Sequence, residues 1–238
     1  MRLAATADLH YTRTSKGIFD ELFRYASGEA DALLLCGDLT DYGLREEAEM
    51  LTEDLLAHCD VPVVAVLGNH DFESGHQDEV MEVLTGSGLI LLDGDACEFD
   101  GVGIAGAKGF AGGFGSGLLA PWGEPMIKAF VQESVDEALK LESALRRLKT
   151  AHRVVLLHYA PVVGTVEGEP REIFPFLGSS RLEEPLERYP VDFVLHGHAH
   201  RGAPESTTEN GTPVYNVSQA VLRAVSPDQP PLRFFDIG

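Results

Sequence analysis

A chain of 238 residues, 44% of them hydrophobic, is long enough to bury a large core, and no break in composition divides it. A formal net charge of −20, from 18 Lys and Arg against 38 Asp and Glu, disfavours sequence-blind binding to nucleic-acid phosphates, and no apolar run reaches membrane-spanning length. The opening MRLAATADLH lacks a secretory pattern and Cys36, Cys59 and Cys97 are odd in number and widely spaced, so a soluble, cytoplasmic protein with reduced thiols is expected.

Apolar runs alternate with helical patterns, which predicts an α/β architecture with crossover connections. Residues 2–7 and 32–38 read as buried strands, with a helix over 17–27 between them. A second helix spans 44–58, with Leu51, Leu55 and Leu56 on its apolar face, and a third strand spans 62–69. Residues 98–107 read as a hairpin. The stretch GFAGGFGSGLLAPWGEP (109–125) is too rich in glycine for regular structure. Two readings stand for it: a connector, or a mobile lid whose Phe110, Phe114 and Trp122 touch the substrate. A long helix over 127–149, a strand over 153–158, a short helix over 181–188, a strand over 192–197 and a late strand over 212–218 complete the pattern. Residues 1–238 read as one domain.

Ligands of open α/β sheets collect at the carboxyl ends of strands, and five such ends here are polar. They run into Asp8-Leu9-His10, GDLTD (37–41), GNHD (68–71), His158 and HGHAH (196–200). His196, His198 and His200 alternate, which sends their imidazoles toward one side. Singly these are weak signals, since a lone Asp-x-His or Asn-His also serves as a turn or cap. Together they point to a shared metal site. Nitrogen and oxygen donors without thiolate suit Mn, Fe, Zn, Ni or Co better than Ca or Mg.

In this order the residues resemble the calcineurin-like metallophosphoesterase family, whose pattern runs Asp-x-His, Gly-Asp-x-x-Asp, Gly-Asn-His-Asp/Glu, an isolated His and Gly-His-x-His. The resemblance covers residues 8–200 with no member missing. It implies a four-layer α/β/β/α sandwich, two mixed sheets flanked by helices, holding two divalent or trivalent transition-metal ions. Asp8, His10 and His200 are assigned to one ion, Asn69, His158 and His198 to the other, and Asp38 to both. His196 is left as a core imidazole that supports its neighbours. The implied activity is hydrolysis of small phosphate esters, diester or monoester and including nucleotide-type compounds, by in-line attack of a hydroxide bridging the ions. His70 is implied beside the leaving group, as a proton donor or a stabiliser of charge, with Asp41 to orient it and Asp71 as the rival. Both carboxylates have an alternative use as caps of the next helix or turn. His58, His76 and His152 read as surface residues.

Where the phosphoprotein phosphatases of that family carry an arginine after Gly-Asp-x-x-Asp, this chain has Tyr42, which loses a phosphate-clamping guanidinium. The nuclease branch is disfavoured by the acidic balance. A small phosphate ester is therefore the expected partner, and a non-catalytic metal-binding or partner-binding scaffold of the same fold, or a phosphoprotein phosphatase, is the alternative. The sequence carries no signal for an oligomeric state.

Overall fold

A computed structural model describes residues 1–238. Its strands form two mixed sheets. In the first, β1 (Arg2–Thr6), β2 (Ala32–Cys36), β3 (Val63–Val66) and β4 (Ile90–Leu91) run parallel, and β11 (Arg233–Asp236) closes the edge antiparallel to β1. The second sheet has the order β5 (Asp95–Phe99), β6 (Val102–Gly106), β7 (His152–Leu156), β8 (Phe193–His196), β10 (Pro213–Asn216), β9 (Glu205–Thr207), its four central strands parallel and its two edge strands antiparallel.

Alternation along the strands builds three apolar layers. In β2, Leu34 and Cys36 face the core between the sheets, while Leu33 and Leu35 face the helices outside. Those helices are α1 (Asp20–Glu29), α2 (Arg45–His58) and α3 (Gln77–Gly86), which supply Phe23, Leu51 and Leu84 to that layer. Across the molecule, Val154 and Leu156 of β7 meet the inter-sheet core and Val155 meets α4 (Pro125–Arg147) through Leu141, Ala144 and Leu145. Strands buried on both faces must be nearly all apolar, which is why β2 reads as a continuous run. Each such aliphatic side chain contributes about 1.5–3 kcal/mol on burial. The arrangement is the expected two-sheet sandwich flanked by helices.

Three short helices complete the chain, α5 (Phe174–Leu177), α6 (Glu183–Arg188) and α7 (Gln219–Val225). The sequence did not anticipate α7, β4, β9 or β11, and the expected hairpin starts at Asp95 rather than at residue 98. No helix is long and apolar enough to cross a membrane.

The glycine-rich stretch is pinned at its base. Gly112 N–H donates to Pro175 carbonyl, Gly113 N–H to Gly178 carbonyl, and Ser180 N–H to Gly113 carbonyl. Of its three large aromatics, Phe110 packs against Phe130 and Tyr159, with ring centroids 5.0 and 5.8 Å apart, and Phe114 lies against the small cluster of Ala160, Val166, Leu177 and Ala199. Trp122 alone stands in solvent, 70% exposed.

Candidate metal centre

All five polar strand ends converge where the carboxyl edges of β1, β2 and β3 face those of β7 and β8. Two glycines allow the close approach. A Cβ on Gly37, whose φ is +87°, would lie 2.4 Å from His158 Nδ1. One on Gly197 would lie 2.8 Å from Asp8 Oδ2. A side chain at either position would push one sheet's site residues away from the other's.

The backbone is bent hard at these ends. Asp8, His10, Asp38 and His198 all adopt positive φ, between 48° and 67°, and the only other non-glycine residue that does so is Asp100 in the β5–β6 turn. Such conformations are disfavoured for L residues and persist where the surroundings fix them. The surroundings here are mutual: His198 N–H donates to both Asp8 carboxylate oxygens at 3.1 and 3.2 Å, and His70 N–H donates to Asp38 Oδ1 at 2.8 Å.

Donor atoms fall into three overlapping groups: Asp8, His10 and His200; His10, Asp38 and His70; Asp38, His158 and His198. Within each, one donor per residue lies within 4.8 Å of the others. His10 and Asp38 link the groups. His10 Nε2 stands 3.8 Å from Asp38 Oδ2, and His158 Nε2 stands 3.4 Å from Asp38 Oδ1. Asn69 Oδ1 joins the third group, 3.0 Å from His158 Nε2. Every residue expected at the site is thus brought to it.

Tautomers offer a test of whether this set suits metal ions. His158 Nδ1–H donates to Cys36 carbonyl at 3.0 Å, which leaves Nε2 as the ring atom that faces Asp38 Oδ1 and Asn69 Oδ1. His10 Nδ1–H donates to Asp41 Oδ1 at 3.1 Å, and the Nε2 it leaves is buried without any hydrogen-bond partner. His198 Nε2–H donates to Phe176 carbonyl at 3.2 Å, leaving Nδ1. One ring nitrogen held by a carbonyl or carboxylate and the other left open is how histidines are presented to a metal. An orphaned buried imidazole nitrogen beside a carboxylate is costly unless a cation fills the gap. The residues fit metal ions.

Charge agrees. Burial alone would raise the Asp38 pKa, yet the facing His158 and the His70 N–H hold it well below the usual carboxylate range, and Asp38 in return raises His158 despite burial. The two form an ion pair across the sheets. An ion held here would take the place of that proton, so its uptake would release it.

His196 is different. It is fully buried, its Nδ1–H donates to Gly197 carbonyl and its Nε2 accepts from the Thr165 hydroxyl, each at 2.8 Å. Burial depresses its pKa to about 4, so it is neutral, and neither nitrogen is open. The structure divides the role expected of Asp41. Its backbone carbonyl accepts from His70 Nδ1 at 2.8 Å, while its carboxylate leans to His10 and lies 3.7 Å from His70. Asp71, the rival, is nowhere engaged with the His70 ring. Its buried carboxylate accepts from Leu39 N, Thr40 N, Thr40 Oγ1 and Gly68 N, so it ties the GDLTD loop to the GNHD loop. Burial, with Asp38 nearby, pushes its pKa up to about 6. His58 faces Asp20 at 3.0 Å, and His76 and His152 lie at the surface beside Glu79 and Asp192.

Sequence reasoning missed Lys108, just past β6. It is the only lysine or arginine buried in the protein, and its backbone carbonyl accepts the N–H of His158.

Comparison with known proteins agrees with this geometry. The sequence profile of the calcineurin-like phosphoesterases matches residues 1–202. Among curated proteins, a UDP-2,3-diacylglucosamine hydrolase of Enterobacter sp. (strain 638) is 23% identical over 89% of this chain and 87% of its own length. One from Klebsiella pneumoniae is 22% identical over 96% and 97%. Among solved structures, the phosphopantetheinyl hydrolase of Mycobacterium tuberculosis superposes with a TM-score of 0.71 at 16% identity, covering 98% of this chain and 95% of that one. A Thermus thermophilus structure gives 0.57 at 16% identity, over 99% and 98%. With the motifs, the two-sheet fold and the convergent donors all in agreement, the chain belongs to the calcineurin-like phosphoesterase family and is a metal-dependent phosphoester hydrolase.

Proposed function

We propose that the chain hydrolyses a small phosphate ester, diester or monoester, with two transition-metal ions, Mn, Fe, Zn, Ni or Co. Asp8, His10 and His200 would hold one, Asn69, His158 and His198 the other, and Asp38 would serve both. The observation that carries this reading is the chain of overlapping donor groups joined through His10 and Asp38. When bound, such ions supply Lewis acidity toward phosphoryl oxygens and acidify water for attack near neutral pH.

The protein's own residues do the rest. His70 Nδ1–H is fixed on the Asp41 carbonyl, so Nε2 is the atom that carries a proton to the departing oxygen. Its ring stands edge-on to His10, centroids 4.6 Å apart, within reach of the other donors and partly open to solvent. The Asp41 carboxylate lies between the two imidazoles, 3.1 Å from His10 and 3.7 Å from His70, and keeps both rings in place.

Several observations favour a small substrate. Tyr42, where a phosphate-binding arginine stands in the phosphoprotein phosphatases, turns its ring to solvent, and its N–H donates to Glu47 at the start of α2. A net charge of −20 repels polyanions, so anionic substrates gain only at the cationic centre. The curated relatives are hydrolases whose names specify UDP-2,3-diacylglucosamine, a nucleotide ester.

The test is a panel of phosphomonoesters, cyclic nucleotides, bis(4-nitrophenyl) phosphate and nucleoside diphosphate esters, assayed with Mn, Fe, Zn, Ni and Co. Metal-dependent turnover of small esters is expected. A metal-loaded chain inert toward every compound would favour a binding scaffold instead.

A further inference from the structure

Strand β10 ends in a polar residue, Asn216, that is fully buried yet belongs to none of the donor groups and to none of the motifs that mark the site. Its amide is held one way round: Nδ2 donates to Ala199 carbonyl at 2.7 Å, and Oδ1 accepts from Ser218 N–H at 3.1 Å. Ala199 stands between His198 and His200, so a side chain of β10 grips the backbone that carries both imidazoles. Gly202 N–H also donates to that carbonyl, at 3.0 Å, which closes the turn on itself. Asn216 is what ties the turn to β10.

Three residues on, the same segment grips the other sheet. Gln219 N–H donates to Ala7 carbonyl at 3.2 Å, directly before Asp8, and Asp8 in turn accepts the N–H of His198. These contacts close a ring that runs from Asp8 through the His198–His200 turn to Asn216, and back through Gln219 and Ala7. Asp8 and His198 hold positive φ, 61° and 67°, conformations that persist only where several contacts fix them.

The ring matters unequally to the donors. His198 has a hold of its own, since its Nε2–H is bound by Phe176 carbonyl. The His200 side chain is 45% exposed, and its one charged partner is Asp8 Oδ1 at 3.3 Å. Its place therefore depends on Ala199 and on Asp8, the two points that the Asn216–Gln219 segment grips. Resting on the two-ion reading above, we infer that Asn216 is a positioning residue: together with Gln219 N–H it keeps Asp8 of the first sheet and His200 of the second in register, and so sets the affinity of the ion that these two would share with His10.

The test is calorimetric titration of the metal-stripped protein with Mn, alongside thermal melts without metal. His200→Ala marks which step of the titration belongs to Asp8, His10 and His200. Asn216→Leu removes the donor at nearly constant shape, and Gln219→Pro removes the N–H that reaches Ala7 carbonyl, since proline is tolerated at the first position of a helix. Each variant should weaken that step about 10–100-fold, as loss of a residue that supports a ligand does, and leave the other step within about threefold. Saturating Mn should restore turnover in both, which a general loss of structure would not allow. Equal weakening of both steps, or unchanged steps with only a lower melting temperature, would overturn the inference, and Gln219→Pro decides alone if Asn216→Leu does not fold. A wild type that takes up fewer than two Mn ions would overturn the two-ion reading itself.

Discussion

Asp38 and His158 belong to different sheets and are far apart in the chain, yet Asp38 Oδ1 and His158 Nε2 meet at 3.4 Å with both side chains buried. Gly37 and the Cys36 carbonyl set that distance, the first by leaving room and the second by fixing the ring. Since Asp38 also faces His10, Asp38→Asn should weaken metal binding at both proposed ion positions and lower hydrolysis at least about 100-fold. His196→Ala is the control, because both of its nitrogens are spent inside the protein: it should lose stability and keep its metals. Metal content and turnover of the two variants decide this, and a metal-replete, active Asp38→Asn would contradict it.

For His70 the informative comparison is between leaving groups. A nitrophenolate departs unaided, whereas an alkoxide needs a proton. His70→Ala should keep its metals and lose about 10²–10⁴-fold on alkyl or nucleoside esters, but distinctly less on nitrophenyl esters. Equal losses would assign His70 to stabilising phosphoryl charge.

The glycine-rich stretch is fixed by Phe110 and Phe114 and again at Leu119, whose N–H donates to Gly112 carbonyl and whose carbonyl accepts from Arg181, and it is free at Trp122, so any lid movement resides in residues 120–124. Deleting them should raise KM or change substrate preference with metal content unchanged. Unaltered kinetics across the panel would make the stretch a connector.

Lys140 offers a prediction away from the site. Burial opposes its charge, but hydrogen bonds to Asp93 and Glu137, at 2.8 Å each, raise its pKa above the ordinary lysine value. A group whose folded pKa is raised contributes stability that is complete below its unfolded pKa, about 10.4 for lysine, and lost as the pH rises through the folded value. Thermal melts of wild type and Lys140→Met should therefore differ by a constant amount from about pH 7 to pH 9.5 and converge in stronger alkali. A gap that persists there would remove the ion pair as its cause.

The sequence shows the five strand ends clearly because a buried strand tolerates polar residues only where it stops, so Asp8, Asp38, Asn69, His158 and His198 stand out against apolar runs. Strand β11 is hidden for the opposite reason: it is a four-residue edge strand after a proline-rich turn, defined by its pairing with β1 rather than by any pattern of its own. Side-chain direction is equally invisible in a sequence. Nothing local says that the Asp41 carboxylate turns to His10 while its carbonyl serves His70, or that Asp71 reaches back to Thr40 in the preceding loop. Lys108 escaped for want of a motif, being one lysine in a run of small residues whose burial the sequence does not show.

The most direct test of the account is anomalous diffraction from crystals of the chain grown with Mn. The account predicts two anomalous peaks, one among Asp8, His10 and His200, one among Asn69, His158 and His198, with Asp38 touching both. A single peak, or two peaks that Asp38 does not join, would contradict it.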